Sequence, residues 1–537
     1  MLPGCTPWPR EFAEIYRRAG YWSGELLGDL LRPWSQSDPG RIAVVADDRR
    51  LTYREMDVAA DRLATGLHRL GIRPHDRVVV QLPNVPEFVT VSVALFRLGA
   101  LPVFALPAHR SNEIKYLCQH AEAVAYVIPD IYQKFDYRVL AREVRRSVTA
   151  LKHVLVLGDP GEFQALQDLP CQPEPLPAPS PDDAAFFLLS GGTTGSPKLI
   201  PRTHDDYAYQ LRASAQGLGF DDKGVYLAAL PIGHNAALGC PGVLGTLRTG
   251  GKVVLASSPS PGDVFPLIEQ EGVTLTTLIT PLVMLWMQAT ELFKVNFTRL
   301  LLQVGGAKLD AEVGWKVQPT LGCRLTHWFG MAEGFLSYTR VDDAPDVIVL
   351  TQGRPLCPAD EIRVVDALDY DVKPGEVGEL LQRGPYTLRG YYKADEYNST
   401  AFTSDGYLRT GDLVRITASG NMVVEGRLKD VINRGGEKVP AEELESHLLA
   451  HPGIRQAAVI PIADPVMGER ICACVVCHSG KVTLEELKNF LRLRGLADFK
   501  MPDRLKIMDT LPHTSLGKIN KGALRDAIAR EMSATAK

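Results

Sequence analysis

Apolar residues recur along this chain at two spacings. Residues 54–70 carry them at helical intervals, and residues 86–98 repeat the pattern, with Pro86 suited to a first helical turn and Gly99 to an end. Between the two, Val78-Val-Val-Gln-Leu82 is short, apolar and β-branched, which predicts a strand. Over residues 1 to about 170, such alternation predicts a parallel sheet with helices packed on it. The proline-rich stretch 169–182 predicts a surface connector. Beyond it, 184–189, 225–230, 251–256, 273–279 and 300–304 are apolar runs of strand length. Each leads into a loop, and ligands of open α/β sheets bind beyond the carboxyl ends of the strands. After about residue 350 the texture changes to short strands with turn signals at 361–366, 375–381, 407–410 and 422–425, as in a β-rich subdomain. A charged turn, Gly426-Arg-Leu-Lys-Asp430, suits a hinge. After it the pattern predicts a separate α/β unit: helix 440–450, strands near 456–461 and 471–477, helix 483–495 and a closing helix after Lys521.

Size and charge narrow the function classes. A chain of 537 residues exceeds one ordinary core, so two or more domains are expected, and 45% apolar content suits a globular protein. The net charge of −4, from 59 basic and 63 acidic residues without a block of one sign, gives no support to a nucleic-acid or membrane-surface partner. The first residues show no basic segment followed by an apolar core, and no apolar run approaches a membrane span, so a cytoplasmic protein is expected. Nine scattered cysteines are unlike a disulfide framework. In Ile471-Cys-Ala-Cys-Val-Val-Cys477, strand alternation puts Cys472 and Cys474 on one face and Cys477 on the other, which favours buried thiols over a zinc site.

The most informative stretch is Leu188-Leu-Ser-Gly-Gly-Thr-Thr-Gly-Ser-Pro-Lys-Leu-Ile200. Gly191, Gly192 and Gly195 can bring bare backbone N–H groups close to a phosphate. Ser190, Thr193, Thr194 and Ser196 add hydroxyls, and Lys198 adds a positive charge. The spacing is not that of a Walker A loop, and Pro197 discourages direct continuation into a helix. Three further loops stand out: 231–240, Gly305-Gly-Ala-Lys308, and Trp328-Phe-Gly-Met-Ala-Glu-Gly334, whose Glu333 lies between glycines and suits Mg²⁺ beside phosphates.

The hydroxyl- and glycine-rich segment is similar to the phosphate-loop signature of the ANL adenylating superfamily. Lys198-Leu-Ile-Pro-Arg-Thr-His-Asp-Asp206 resembles its stand-alone aryl acid AMP ligases, and the similarity runs over nearly the whole chain. The resemblance implies an α/β fold: a large N-terminal domain, residues 1–428, of two α/β subdomains plus a β-rich one, and a small mobile C-terminal α/β lid, residues 429–537. It implies that ATP and a carboxylic acid give an acyl adenylate. By the same resemblance, Asp412 accepts from the ribose hydroxyls, Arg427 contacts ribose or phosphate, Gly305, Gly306 and Ala307 flank adenine, and Lys429 marks the hinge. Lys518, in the loop Pro512-His-Thr-Ser-Leu-Gly-Lys518, is then the lid lysine that bridges the carboxylate and the α-phosphate. Such a cation lets two anions approach. Lys521 reads as a solvated charge at a helix start. Gly435, Gly436 and Lys438 resemble the segment that forms the thiol tunnel for a phosphopantetheine arm. The chain shows no carrier module of its own, so a discrete aryl or peptidyl carrier protein, or CoA, is the implied acceptor.

The acid pocket is implied in the same way. His234-Asn235 resembles the signature of 2,3-dihydroxybenzoate- and salicylate-activating ligases, in which the Asn contacts the carboxylate or ortho hydroxyl. Cys240 favours a salicylate-like 2-hydroxy acid over a catechol, because a thiol hydrogen-bonds a 3-hydroxyl poorly. Ala236, where an aromatic residue is usual, opens one wall. Trp328, where a small aliphatic residue is usual, closes another beside Gly330. A salicylate-sized pocket and a pocket for a bicyclic acid of hydroxyquinaldate or naphthoate type both stay open. Siderophore or nonribosomal peptide assembly is the implied setting, with an aryl-CoA ligase or a non-catalytic ATP-binding scaffold as alternatives.

Overall fold

A computed structural model describes residues 1–190, 197–306, 309–434, 437–464, 468–478, 480–494, 496, 498–514 and 517–535. Two large sheets form the body of the protein. The first runs, in spatial order, Leu199–Thr203, Ala184–Leu189, Leu101–Phe104, Arg77–Val80, Ala125–Pro129, His153–Leu157 and Gln164–Ala165. Its interior strands pair in parallel, with Val79 opposite Val103 on one side and Tyr126 on the other. These strands are buried on both faces, as their unbroken apolar runs require.

The second sheet runs Arg354–Pro355, Leu336–Tyr338, Arg324–Gly330, Leu301–Val304, Leu275–Leu278, Val225–Ala228, Lys252–Leu255, Ile42–Ala46 and Arg49–Thr52. One departure from a reading in chain order is plain. Residues 42–52 belong to this second sheet, through the parallel pairing of Val44 with Val253, although they precede every strand of the first.

Local chemistry sets the helix limits. Helix Tyr53–Leu70 opens on a reciprocal capping box between Thr52 and Glu55 and closes at left-handed Gly71. Helix Pro86–Leu98 has Pro86 in its first turn and ends at Gly99 with φ 72°. Strand Leu199–Thr203 follows Pro197, and Thr203 with Asp206 caps the next helix, His204–Gly217.

Beyond these sheets, Glu361–Val365, Gly378–Arg383, Leu408–Ile416 and Met422–Arg427 form an antiparallel meander. The C-terminal segment builds its own sheet from Val431–Arg434, Glu437–Pro440, Ile454–Asp464, Gly468–Cys477 and Arg504–Ile507. One face packs Ile432, Leu444, Val459 and Leu487. The other packs Cys472 and Cys474 against Leu524 and Ile528 of helix Lys521–Thr535. Cys477 lies with the first group. Among the described residues no cluster of three His, Cys, Asp or Glu could hold a metal, and no helix is long and apolar enough to cross a membrane.

One reading is corrected. Lys521 is not a solvated charge: its ammonium lies 2.7 Å from Glu445, and the two side chains are only 17% and 14% exposed. Burial raises the Glu445 carboxyl to about 7, against the pull of Lys521.

Candidate active site

The polyphosphate-type loop rises from an antiparallel pair in which Leu189 faces Leu199. Ser190 N–H donates to the Lys198 carbonyl at 2.9 Å, and Lys198 N–H donates back to Ser190 Oγ at 2.9 Å, so the two ends of the loop are tied together. Gly191, Gly192, Thr193, Thr194, Gly195 and Ser196 lie outside the described residues. The Lys198 ammonium sits 3.8 Å from the Tyr397 ring centroid. A cation–π contact of that kind holds the charge without neutralising it.

Arg202, fully buried, joins this strand to two other loops. Its guanidinium donates to Asp206 Oδ1 at 2.9 Å, the Ala332 carbonyl at 3.1 Å, Gln210 Oε1 at 2.9 Å and the Tyr386 carbonyl at 3.2 Å. The Ala332 contact fixes the turn that presents Glu333. A Cβ on Gly334, whose φ is 127°, would overlap the Tyr386 carbonyl, so the turn closes this tightly only on glycine. Glu333 is half-buried, and its Oε1 accepts from the Tyr391 hydroxyl at 3.0 Å. Burial raises its pKa, with Arg427 and Arg202 acting against the shift. Such a carboxylate fits Mg²⁺, which takes one or two carboxylates and completes its shell with phosphates and water.

A second carboxylate lies on strand Leu408–Ile416, where Asp412 faces Arg427 across the ladder. Its side chain is 4% exposed; Arg427 Nε lies 2.9 Å from Oδ1, and Oδ2 has no hydrogen-bond partner among the described residues. Burial raises the Asp412 pKa even though Arg427 and Lys518 lower it. An orphan buried carboxylate oxygen is costly unless a ligand supplies donors, so the pair fits a ligand with adjacent hydroxyls.

Lys518 comes from the C-terminal unit into the same crevice. Its Cε lies 3.7 Å from where a Cβ on Gly306 would stand. Its loop is held by Thr514, whose N–H donates to the Lys518 carbonyl at 2.7 Å and whose Oγ1 accepts from Lys518 N–H at 3.2 Å. The residue keeps an exposed flank while its ammonium is crowded by protein atoms; that crowding and Arg427 lower its pKa, and Asp412 and Glu442 raise it. Glu312 and Arg494, 3.7 Å apart, also join the two parts of the chain. Lys429 sits in the turn Leu428–Asp430, where burial, then Arg427, lowers its pKa. Ala307, Gly435 and Gly436 are outside the described residues; Lys438 is described only as backbone, in strand Glu437–Pro440.

The remaining predicted residues lie on two elements: His234, Asn235, Ala236 and Cys240 follow strand Val225–Ala228, and Trp328 and Gly330 end strand Arg324–Gly330. Asn235 is 5% exposed. Its Oδ1 accepts from the Tyr207 hydroxyl at 2.8 Å and from Gln210 Nε2 at 3.4 Å. This fixes the amide orientation and leaves Nδ2 as the donor end, whose one contact among the described residues is Cys240 Sγ at 3.7 Å. His234 Nδ1 accepts from Ala236 N–H at 3.3 Å, which puts its proton on Nε2. Burial, with the Lys518 charge next, lowers the His234 pKa to about 4, so the ring is neutral. Burial pushes the Cys240 thiol up to about 12, which keeps it protonated. Trp328 is 5% exposed and stands edge-on to Tyr338 at 6.1 Å. A Cβ on Gly305 would overlap its Nε1, and one on Gly330 would lie 2.9 Å from its Cζ3. Three residues absent from the sequence-based set hold Asn235 in place, Tyr207 and Gln210 directly and Arg202 through Gln210. Their signal was the chemistry-rich 198–206 segment and the helix it opens.

Comparisons with known proteins give the family of the chain. The model of the AMP-binding enzyme family matches residues 31–392, and that of the AMP-binding enzyme C-terminal domain matches residues 443–518. The 2,3-dihydroxybenzoate-AMP ligase of Bacillus subtilis is 55% identical over 535 residues, covering 99% of each chain. A salicylyl-CoA synthase / salicylate adenylyltransferase of a Streptomyces species is 49% identical over 539 residues, 98% of each chain. Among solved structures, apo MbtA of Mycobacterium smegmatis superposes with a TM-score of 0.76 at 48% identity, covering 97% of this chain and 98% of that one.

Proposed function

The chain belongs to the AMP-binding enzyme family, and from that premise we propose that this adenylate-forming ligase activates an aromatic 2-hydroxy carboxylic acid of salicylate type and passes it to a thiol. The observation that carries the reading is Lys518, which arrives from the C-terminal unit beside Gly306 with Asp412, Arg427 and His234 around it.

In the first half-reaction a carboxylate oxygen of the acid attacks the α-phosphorus of ATP, and the bond to the β-phosphate oxygen breaks to release pyrophosphate. Asn235 Nδ2 donates to the carboxylate or the ortho oxygen, and neutral His234 offers Nε2–H nearby. Lys518 offsets the charge of the two approaching anions. Asp412 Oδ2 accepts from the ribose hydroxyls, and Arg427 Nε, 2.9 Å from Oδ1, holds the carboxylate in place. Lys198 and the 190–196 loop hold the triphosphate. Glu333 would hold Mg²⁺, which supplies charge neutralisation beside the phosphates when bound.

In the second half-reaction a phosphopantetheine thiol attacks the acyl carbon. AMP leaves, and the thiol proton passes to solvent or to the phosphate. The hinge at Lys429 and the 435–438 segment serve this step, and a discrete aryl or peptidyl carrier protein in siderophore or nonribosomal peptide assembly is the acceptor. The N-terminal unit, residues 1–428, and the lid, residues 429–537, act as the two bodies. Acid-dependent ATP–pyrophosphate exchange across benzoates, salicylates, picolinates, quinaldates and naphthoates tests the reading, followed by acyl transfer to a holo carrier protein or free CoA. Exchange with no aromatic acid would overturn it. Transfer to CoA but never to a carrier would replace the acceptor.

A further inference from the structure

Three buried polar atoms without a hydrogen-bond partner among the described residues lie at this site or on its walls: Asp412 Oδ2, Gln303 Nε2 and Trp328 Nε1. The Asp412 oxygen has its use in the proposed nucleotide contact. Trp328 Nε1–H has none, and indole can only donate. Its position is specific. Gly305 and Gly306 are consecutive, and the missing Cβ of the first is overlapped by Trp328 Nε1 while that of the second stands 3.7 Å from Lys518 Cε. The idle donor therefore reaches the same two-glycine turn as the lysine. The Gln303 amide has the Tyr338 hydroxyl beside it.

Resting on the aryl acid reading above, we propose that Trp328 Nε1–H donates to a ring nitrogen of the substrate, so that the preferred acid is an aza-aryl carboxylate with its 2-hydroxy pattern retained. A buried donor left unpaired costs free energy that a ligand acceptor recovers. The acceptor belongs in the ring because the indole already takes the space of side chains at 305 and 330. An exocyclic group on that side would meet the indole, whereas an aza atom projects nothing beyond the ring outline.

The test compares isosteres that differ only by N for C–H: 3-hydroxypicolinate against salicylate, and 3-hydroxyquinaldate against 3-hydroxy-2-naphthoate, in pyrophosphate exchange by the full-length enzyme. The wild type should favour the aza member by about 10- to 100-fold in kcat/KM. Trp328→Phe, which keeps a ring and removes the N–H, should bring that ratio down at least tenfold. Comparing ratios in the two proteins cancels the intrinsic reactivity of the acids. Calorimetric binding of the same pairs to the wild type gives a second reading that does not depend on the variant folding. An aza-to-carba ratio near one in the wild type, or one that Trp328→Phe leaves unchanged, overturns the proposal while leaving the aryl ligase reading intact. Exchange with none of the acids would overturn that reading instead.

Discussion

Replacing Asp412 by Asn should weaken nucleotide binding without weakening the fold. In the folded chain the carboxylate is 4% exposed, with Arg427 on one oxygen and no partner among the described residues on the other. Leaving a buried acceptor unmet costs about 1–3 kcal/mol, and a hydrogen bond to a charged acceptor is worth about 1.5–3 kcal/mol. The Asn variant keeps the outline and can still accept from Arg427 through Oδ1, but its other end becomes a donor that ribose hydroxyls cannot use as an acceptor. Arg427 is 46% exposed, so solvent compensates the lost charge. At about 1.4 kcal/mol per decade the affinity for an ATP analogue should fall roughly 10- to 150-fold. The melting temperature without ligand should stay level or rise, because a buried charge has gone. Calorimetric titration with the analogue and a thermal scan without it read the two effects. Affinity within twofold of the wild type, or a melting temperature several degrees lower, would refute the reasoning.

Three further perturbations follow from named contacts. Gly334→Ala, at φ 127° and against the Tyr386 carbonyl, combines backbone strain with overpacking of about 1–3 kcal/mol each; it should lower the melting temperature and abolish exchange, whereas Gly322→Ala, with φ 72° and open space, should cost only about 1–2 kcal/mol. Arg202→Lys keeps a cation near Asp206 but loses the fork to Ala332, Gln210 and Tyr386; unfolding in urea should show a loss on the scale of unmet buried acceptors, about 1–3 kcal/mol each, and retained stability would sink its organising role. Burial raises the Asp360 carboxyl to about 8, above its unfolded value, so folding favours the protonated form. That stability is full below about pH 4 and lost as pH rises through about 8, at about 1.4 kcal/mol per pH unit. Asp360→Asn should therefore gain on the wild type steadily from pH 5 to 8 in urea unfolding and no further above that; a constant difference would contradict the assignment.

Much of the site was legible because its chemistry is local. Gly305-Gly306, His234-Asn235 and the Glu333 turn are loops after apolar strands, and a loop after a strand is where an α/β sheet places its ligands. Lys518 was legible through resemblance alone, since no spacing links it to residues three hundred positions earlier. The work of Arg202 was hidden because an Arg after Ile-Pro looks like an edge-strand charge, and only the closure of Ala332 and Tyr386 over it removes it from water. Lys521 misled for the same reason: a Lys at a helix start is usually solvated, and Glu445 lies 76 positions earlier on another helix. The strand Ile42–Ala46 joined the second sheet rather than the first because parallel partners are chosen by packing, which a hydrophobic run does not encode.

The central claim is that a lysine delivered by the C-terminal unit completes the adenylation site. Acid-dependent ATP–pyrophosphate exchange in Lys518→Ala tests it most directly, with the nucleotide affinity of the variant measured alongside. The account predicts exchange reduced at least 100-fold, the scale of a lost preorganised charge, with ATP binding changed far less. Exchange within a few-fold of the wild type would contradict it.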